Sequence, residues 1–544
     1  MSSEPELSRR DVNLAAAPSL FAALVAFVAA GMACAAPAEV EATMWTRGEK
    51  LWEFRFTKEE MEAARPRMER GIVWLADDGM NGDGAILCAA TNGMRGTQNF
   101  WRPLDVNVMA GTVLLEADVK GRNIERGKRS HEGPKAYLHY TLPPGPPSTN
   151  LYICTPMQYG SFDWGTWCVV HKIPAEAKDL QVGLTLQGCP GEFWVDAIRI
   201  YRAKEVPASE VKPPDEIPGE AKIPRGRYAK NPRKDARRGV ACGLGLTEPD
   251  FAELERWGAN LIRIPMSVKL DGIETDEQFF EAFAKRLDST AVALESCRRH
   301  GLQVCLLMCS LPGTVKTKQA AYMIPEGYDT TLLRRAWRMV VERFGNDPVV
   351  YGYDIMNEPS CAPAEWRRIF TEVVAEVRKL DRKTPVITES TAYYYPPEMN
   401  VIYSPHIYQP HALTHCGVLS DIHWSYPGYI NGVWWDRRQM RVNLEPLIRF
   451  QCEHPDARIY VGEFSCIGWV PGAAEWIADM IALWEEYGWD WTYHSFREWQ
   501  AWNVELEPEK YFDFNPHHMK PAKDGARRRV LLEGLSRNRP QAGK

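Results

Sequence analysis

Glu358 and Glu463 stand where carboxylates are costly. Glu358 closes the apolar run VVYGYDIMNEP (residues 349–359), and Glu463 closes RIYVGEF (residues 458–464). An acid facing a core would need pairing or protonation, so pointing into a cleft is the cheaper placement. Two carboxylates projecting into one cleft can cleave a glycosidic bond. One is protonated and assists the leaving oxygen; the other is ionised and attacks or activates water. Mutual repulsion and partial desolvation split their acid constants into these two roles.

Such a pair needs a rigid frame. Apolar β-type runs recur at Gly239–Leu246, Asn260–Met266, Gln303–Cys309, Val350–Glu358, Pro385–Ser390, Ile402–Tyr408, Arg458–Phe464 and Asp490–Arg497. Amphipathic stretches lie between them, among them Phe279–Arg299, Thr331–Phe344, Ala364–Leu380, Arg437–Gln451 and Ala473–Tyr487. Strands alternating with helices imply a parallel sheet. Eight of them close into a (β/α)8 TIM barrel, whose catalytic groups sit at the carboxyl ends of the strands. An open doubly wound sheet would want a Gly-rich phosphate turn after its first strand, and Gly243-Leu-Gly245 is too short for one. Read in order, the strand ends are Arg263, Cys309, Asn357-Glu358-Pro359, Glu389, His406-Ile-Tyr408, Glu463 and the Arg497–Trp499 region.

Four local strings, NLIRIP (260–265), YDIMNEP (353–359), SPHIY (404–408) and VGEF (461–464), occur in an order and spacing that resembles glycoside hydrolase family 5, the cellulase family. The likeness runs from about Gly239 to Glu505. It implies a retaining mechanism with Glu358 as acid/base and Glu463 as nucleophile, about 5–5.5 Å apart. It also implies that Asn357 holds the 2-hydroxyl of the reacting sugar, that Arg263 and Tyr408 keep Glu463 ionised and aimed, and that His406 bonds near Glu358 or the substrate. Trp499 resembles the family's stacking ring, although Trp489, Trp491 and Trp502 are close by. Where the family usually carries a His after strand three, this chain has Cys309, which bears on substrate fit more than on the reaction. Glu389 has no part in the family motif and reads as a subsite or structural group.

Residues from about Met44 to Tyr201 carry short alternating runs, such as Thr112–Val119, Leu180–Leu186 and Phe193–Tyr201. Period-two alternation signals strands with one buried face, and many short ones suggest a jelly-roll sandwich. The module loosely resembles carbohydrate-binding jelly rolls. Trp164 and Trp167 are candidates for a sugar platform, or for core packing. A Pro-, Glu- and Lys-rich stretch then reads as a semi-rigid spacer. The expected organisation is a signal peptide at 1–38, a β-sandwich at 44–203, a linker at 204–225 and the barrel at 226–540.

The run from Leu14 to Ala33, followed by small residues, reads as a secretory signal, with an uncleaved anchor as the alternative. The expected location is therefore secreted or periplasmic. A net charge of −6 over 544 residues argues against nucleic acid as a partner. Of 13 cysteines, none forms a zinc spacing, and His406, His411 and His415 follow no regular zinc pattern, so neither metal nor cofactor is expected. Export permits disulfides, but buried thiols are the default for Cys305, Cys309 and Cys466. The reading is an exported monomeric glycosidase acting on β-linked glucan, with polysaccharide as its partner and no stable membrane insertion. A β-mannanase, another β-glycosidase of the same barrel type and a catalytically silent carbohydrate-binding protein are the alternatives.

Overall fold

A computed structural model describes residues 42–538, apart from 65–70, 91–96, 126, 128–130, 143–148, 225–234, 244, 314–322, 326, 390–395, 397–398 and 419. The expected signal segment lies outside the described residues. Among the described residues, no helix is long and apolar enough to cross a membrane.

The N-terminal part is two antiparallel sheets packed face to face. One has six strands: Ile72–Leu75, Ala85–Ala90, Gly191–Pro207, Gly111–Ile124 and Gly160–Ile173 in spatial order, with Thr43–Phe54 added to Gly191–Pro207. The other has four, in the order Thr97–Pro103, Lys178–Gln187, Gly133–Leu142 and Thr149–Cys154. Alternation sends Leu180, Val182, Leu184 and Leu186 inward to meet Val113, Leu115, Ala117 and Val195 from the facing sheet. Trp167 belongs to this core, with its ring centroid 5.6 Å from that of Phe193. Trp164 is half-buried, with the Lys120 ammonium 5.8 Å from its ring centre.

The outer face of the six-stranded sheet is also covered. Leu114, Cys168 and Val170, with Trp45 and Tyr201 beside them, join the core of the second unit. The indole of Trp45 donates to the His423 carbonyl at 2.9 Å, and the Val170 amide donates to Asn431 Oδ1 at 3.0 Å. Composition reads the stretch after the sandwich as a spacer, but it lies along the second unit. Ile217 packs with Met44 and Trp434, Ile223 enters the larger core, and the Pro214 and Asp215 carbonyls accept from Arg438.

The second unit is a closed barrel of eight parallel strands. In chain order they are Arg238–Cys242, Leu261–Pro265, Gln303–Leu307, Val350–Asp354, Val386–Thr388, Val401–Tyr403, Arg458–Val461 and Asp490–Phe496. Each falls in one of the eight apolar runs. Leu261, Cys305, Tyr351, Ile387, Ile402 and Tyr460 fill the interior, so the barrel is a packed core that supports its mouth. Strand four carries one extra residue: Val304 pairs Val350, but Cys305 pairs Gly352. That bulge resets the alternation, so Tyr351 and Asp354 both face inward while Tyr353 packs outward on Trp337. Gly352 fits there because a Cβ would lie 2.8 Å from Ile387.

Two surrounding helices, Glu248–Trp257 and Ala526–Ser536, add to those expected. The first opens with a reciprocal cap between Thr247 and Asp250. The expected single helix at Arg437–Gln451 is two, Arg437–Asn443 and Glu445–Glu453. They meet at Leu444, where Pro446 removes an amide donor from the ladder. The twelve described cysteines are all free thiols, eight of them buried and none exposed.

Because Met44, Trp45, Val170 and Ile217 close one side of the barrel, a chain beginning at residue 225 would bare Trp434 and Tyr429 to water. We expect that truncated chain to melt several degrees lower than the full chain or to precipitate. Differential scanning calorimetry of both chains checks this.

Candidate active site

Arg263, on strand two, is the centre of the barrel mouth and is 2% exposed. Its Nε donates to Asp354 Oδ2 at 3.2 Å, its Nη1 to Glu463 Oε1 at 2.5 Å, and its Nη2 to Asn357 Oδ1 at 3.0 Å and to Glu389 Oε1. The planar fork of a guanidinium can serve strands four, five and seven at once, which an ammonium cannot.

Glu463 follows strand seven, which is tied to the end of strand six where the Ile407 amide donates to the Glu463 carbonyl at 2.9 Å. Its Oε2 accepts from the Tyr408 hydroxyl at 2.6 Å and lies 3.2 Å from His494 Nδ1. Burial opposes its ionisation, but His406, His494, Arg263 and the Tyr408 hydroxyl outweigh it and hold this carboxyl well below the usual range. Glu463 is thus biased towards its anionic form.

Glu358 has a different setting. It is exposed, and its backbone takes the left-handed conformation (φ 43°), held by its amide donating to Glu389 Oε2 at 2.5 Å. A non-glycine residue in that region stores strain that its surroundings must hold. Its Oε1 is 2.8 Å from His406 Nδ1. Glu358, His406 and Glu463 each offer an atom within 4.8 Å of the others. Burial works against a charge on His406, but Glu389, Glu463 and Glu358 raise its pKa well above the ordinary value. A protonated imidazole donates through Nδ1 to Glu358, so these groups hold one another.

Two further acids lie beneath. Burial and the charge of Glu389 push Asp354 well above the usual carboxyl range, while His406 and Arg263 overcome burial to keep Glu389 below it. Asp354 Oδ1 is buried with no hydrogen-bond partner. A proton shared between the Asp354 and Glu389 carboxyls would satisfy both acids.

The sequence-derived residues Arg263, Asn357, Glu358, His406, Tyr408 and Glu463 therefore meet in one hydrogen-bonded group. Trp499 is placed differently. It packs edge-on against Trp469 and Trp502, with ring centroids 6.0 and 4.9 Å away, while Trp502 lies against Tyr408 at 5.9 Å. Cys309 sits under the site, where burial pushes its thiol far up and keeps it neutral. Sequence reasoning missed His494, which touches Glu463, donates or accepts at Tyr408 (2.8 Å) and leans on Glu498 at 3.2 Å. Its position, at the end of strand eight, was the available signal.

Residues 241–467 match the family model described as cellulase, glycosyl hydrolase family 5. This stretch of the barrel is a family 5 domain. The chain is also similar to endoglucanase B of Acetivibrio thermocellus, 25% identical over 170 residues, which are 25% of this chain and 30% of that protein. The chain thus spans less than a third of that relative's length. Among solved structures, it is similar to a glycoside hydrolase (18% identity, TM-score 0.44, covering 56% of this chain and 100% of that one). It is also similar to endoglucanase Cel5A of Thermotoga maritima (18% identity, TM-score 0.42, covering 56% and 98%).

Two substitutions in the family 5 domain test this electrostatic frame. Arg263→Met leaves three carboxyl groups without their shared cation and is expected to destabilise the fold by about 3–5 kcal/mol in urea unfolding. Asp354→Asn should be tolerated. An acid whose pKa is raised in the fold stabilises at low pH, and that contribution is lost as pH rises through its folded value. At pH 7 the wild type must therefore take up a proton on folding that the asparagine variant does not need. The variant's melting temperature relative to wild type should be higher at pH 7 than at pH 4.

Proposed function

We propose that the family 5 domain is a retaining β-glycosidase acting on a β-linked glucan, either cellulose-like or mixed-linkage. The observation that carries this reading is the close approach of two carboxyl groups in opposite environments. Glu463 is buried and held as an anion by Arg263, Tyr408 and His494, whereas Glu358 is open to solvent at the mouth. Their nearest atoms lie within 4.8 Å, a spacing that suits direct attack and leaves no place for a water between them.

In the first step Glu463 attacks the anomeric carbon as Glu358 passes its proton to the leaving oxygen, and a glycosyl ester forms on Glu463. In the second, Glu358 takes a proton from water, the water oxygen bonds to the anomeric carbon, and Glu463 leaves as carboxylate. Asn357 accepts from Arg263 through Oδ1, so its amide donors are available to the 2-hydroxyl of the sugar. A contact to that hydroxyl that tightens as the oxocarbenium-like charge develops lowers the barrier. The name of the matching family and of the Acetivibrio relative supports a glucan over a mannan. The apolar segment before residue 34 supports action outside the cell, where such polymers occur.

The sandwich would hold the barrel against polymer. Trp101 and Tyr152, exposed by 50% and 61%, stand on its four-stranded sheet, on the side away from the barrel. Flat exposed rings of this kind stack on sugar faces.

Anomer analysis decides the mechanism. Glu463→Ala should lower hydrolysis of soluble β-glucan by at least about 10³-fold and, with azide and an activated aryl cellobioside, give the α-glycosyl azide. Glu358→Ala with the same reagents should give the β-glycosyl azide. Wild-type turnover by Glu463→Ala, or the same anomer from both variants, would overturn the assignment.

A further inference from the structure

Glu389 does more than fill space beside the two acids. It follows strand five, and its side chain is 2% exposed. Oε1 accepts from Arg263, while Oε2 accepts the Glu358 amide at 2.5 Å and lies 3.4 Å from His406 Nε2, an ion-pair contact without hydrogen-bond geometry at a nitrogen that has no other partner. One carboxylate thus fixes the backbone of the proposed acid/base and the ring beside its side chain. We propose that Glu389 is a positioning residue that, by engaging the Glu358 amide and the far nitrogen of His406 together, assigns the transferable proton of Glu358 to Oε2. This rests on the reading of Glu358 as acid/base.

The argument is one of donors and acceptors. His406 Nε2 faces Glu389, and Nδ1 faces Glu358 Oε1 at 2.8 Å with Glu463 Oε2 at 3.7 Å. With the Glu389 carboxylate at Nε2 and the Glu463 carboxylate near Nδ1, the ring carries a proton on each nitrogen even when Glu358 is protonated. The other groups around Glu389 do not compensate this: Arg263 is shared with Glu463 and Asn357, burial and Glu389 push Asp354 towards its neutral form, and burial pushes the Cys305 and Cys309 thiols up. Tyr408, which donates to Glu463, is likewise held neutral by burial. The Nδ1–H of His406 therefore occupies Oε1 of Glu358. Among the described residues no donor reaches Oε2, which is left to carry the proton towards the leaving oxygen. Without a charge at position 389, the ring would hold one proton and could accept at Nδ1. It would then draw the Glu358 proton onto Oε1, away from the bond to be cleaved.

Two measurements test this. In the wild-type chain, histidine-selective ¹⁵N NMR at pH 8 should show His406 with both nitrogens protonated; a single-proton neutral ring there overturns the proposal whether or not any substrate turns over. Kinetically, Glu389→Gln should lower kcat/KM on cellotetraose by at least about 20-fold, because its leaving group needs a proton. On dinitrophenyl β-cellobioside, whose leaving group needs none, the loss should stay below about 3-fold. Equal losses on both substrates, or none on either, would reduce Glu389 to a structural role. If the variant does not fold, the wild-type spectrum still decides. If the wild type hydrolyses neither glycoside, it is the glycosidase reading that fails.

Discussion

One buried guanidinium organises the mouth of the barrel. Arg263 meets Asp354, Asn357, Glu389 and Glu463, which come from three different strand ends, and its charge lets carboxylates stand close together away from water. An unpaired anion there would be too costly to keep. The cluster balances because its members are pushed in different directions: Asp354 towards its protonated form, Glu389 and Glu463 towards carboxylate, and His406 and His494 towards imidazolium. The different surroundings of Glu358 and Glu463 are therefore set by the layers beneath them.

That arrangement depends on backbone placement. The extra residue in strand four turns Asp354 inward under Arg263, and three residues later the chain presents Asn357 and Glu358 at the rim. A regular strand would have sent Asp354 towards the helices, where Tyr353 now packs against Trp337. Tyr408 is braced from behind by Trp502, and Tyr408 in turn aims the oxygen of Glu463. Residues far from any reacting atom thus decide the angle at which the carboxylates meet.

Much of this was legible in the sequence. Eight apolar runs stood out because each barrel strand is buried on both sides and so reads as a continuous hydrophobic segment. Arg263, Asn357, Glu358, His406, Tyr408 and Glu463 were legible because a polar side chain directly after such a run has few places to go except the mouth. Asp354 and Glu389 were harder. Asp354 lies inside its run, and only the bulge at Gly352, which leaves no mark in composition, turns it towards Arg263. His494 was hidden among the tryptophans of the last strand, where Trp499 packs edge-on against Trp469 and Trp502. The docking of the sandwich had a trace that alternation alone does not capture: Val113, Leu114 and Leu115 are apolar on successive positions, so that strand has partners on both faces.

The cysteines bear on how this fold meets its surroundings. Eight of the twelve described thiols are sealed in the interior, none is exposed, and no two are joined. Among the described residues, cohesion therefore comes from packing and ion pairing. A reductant has no bridge there to open, and an oxidant finds few sulfurs to reach.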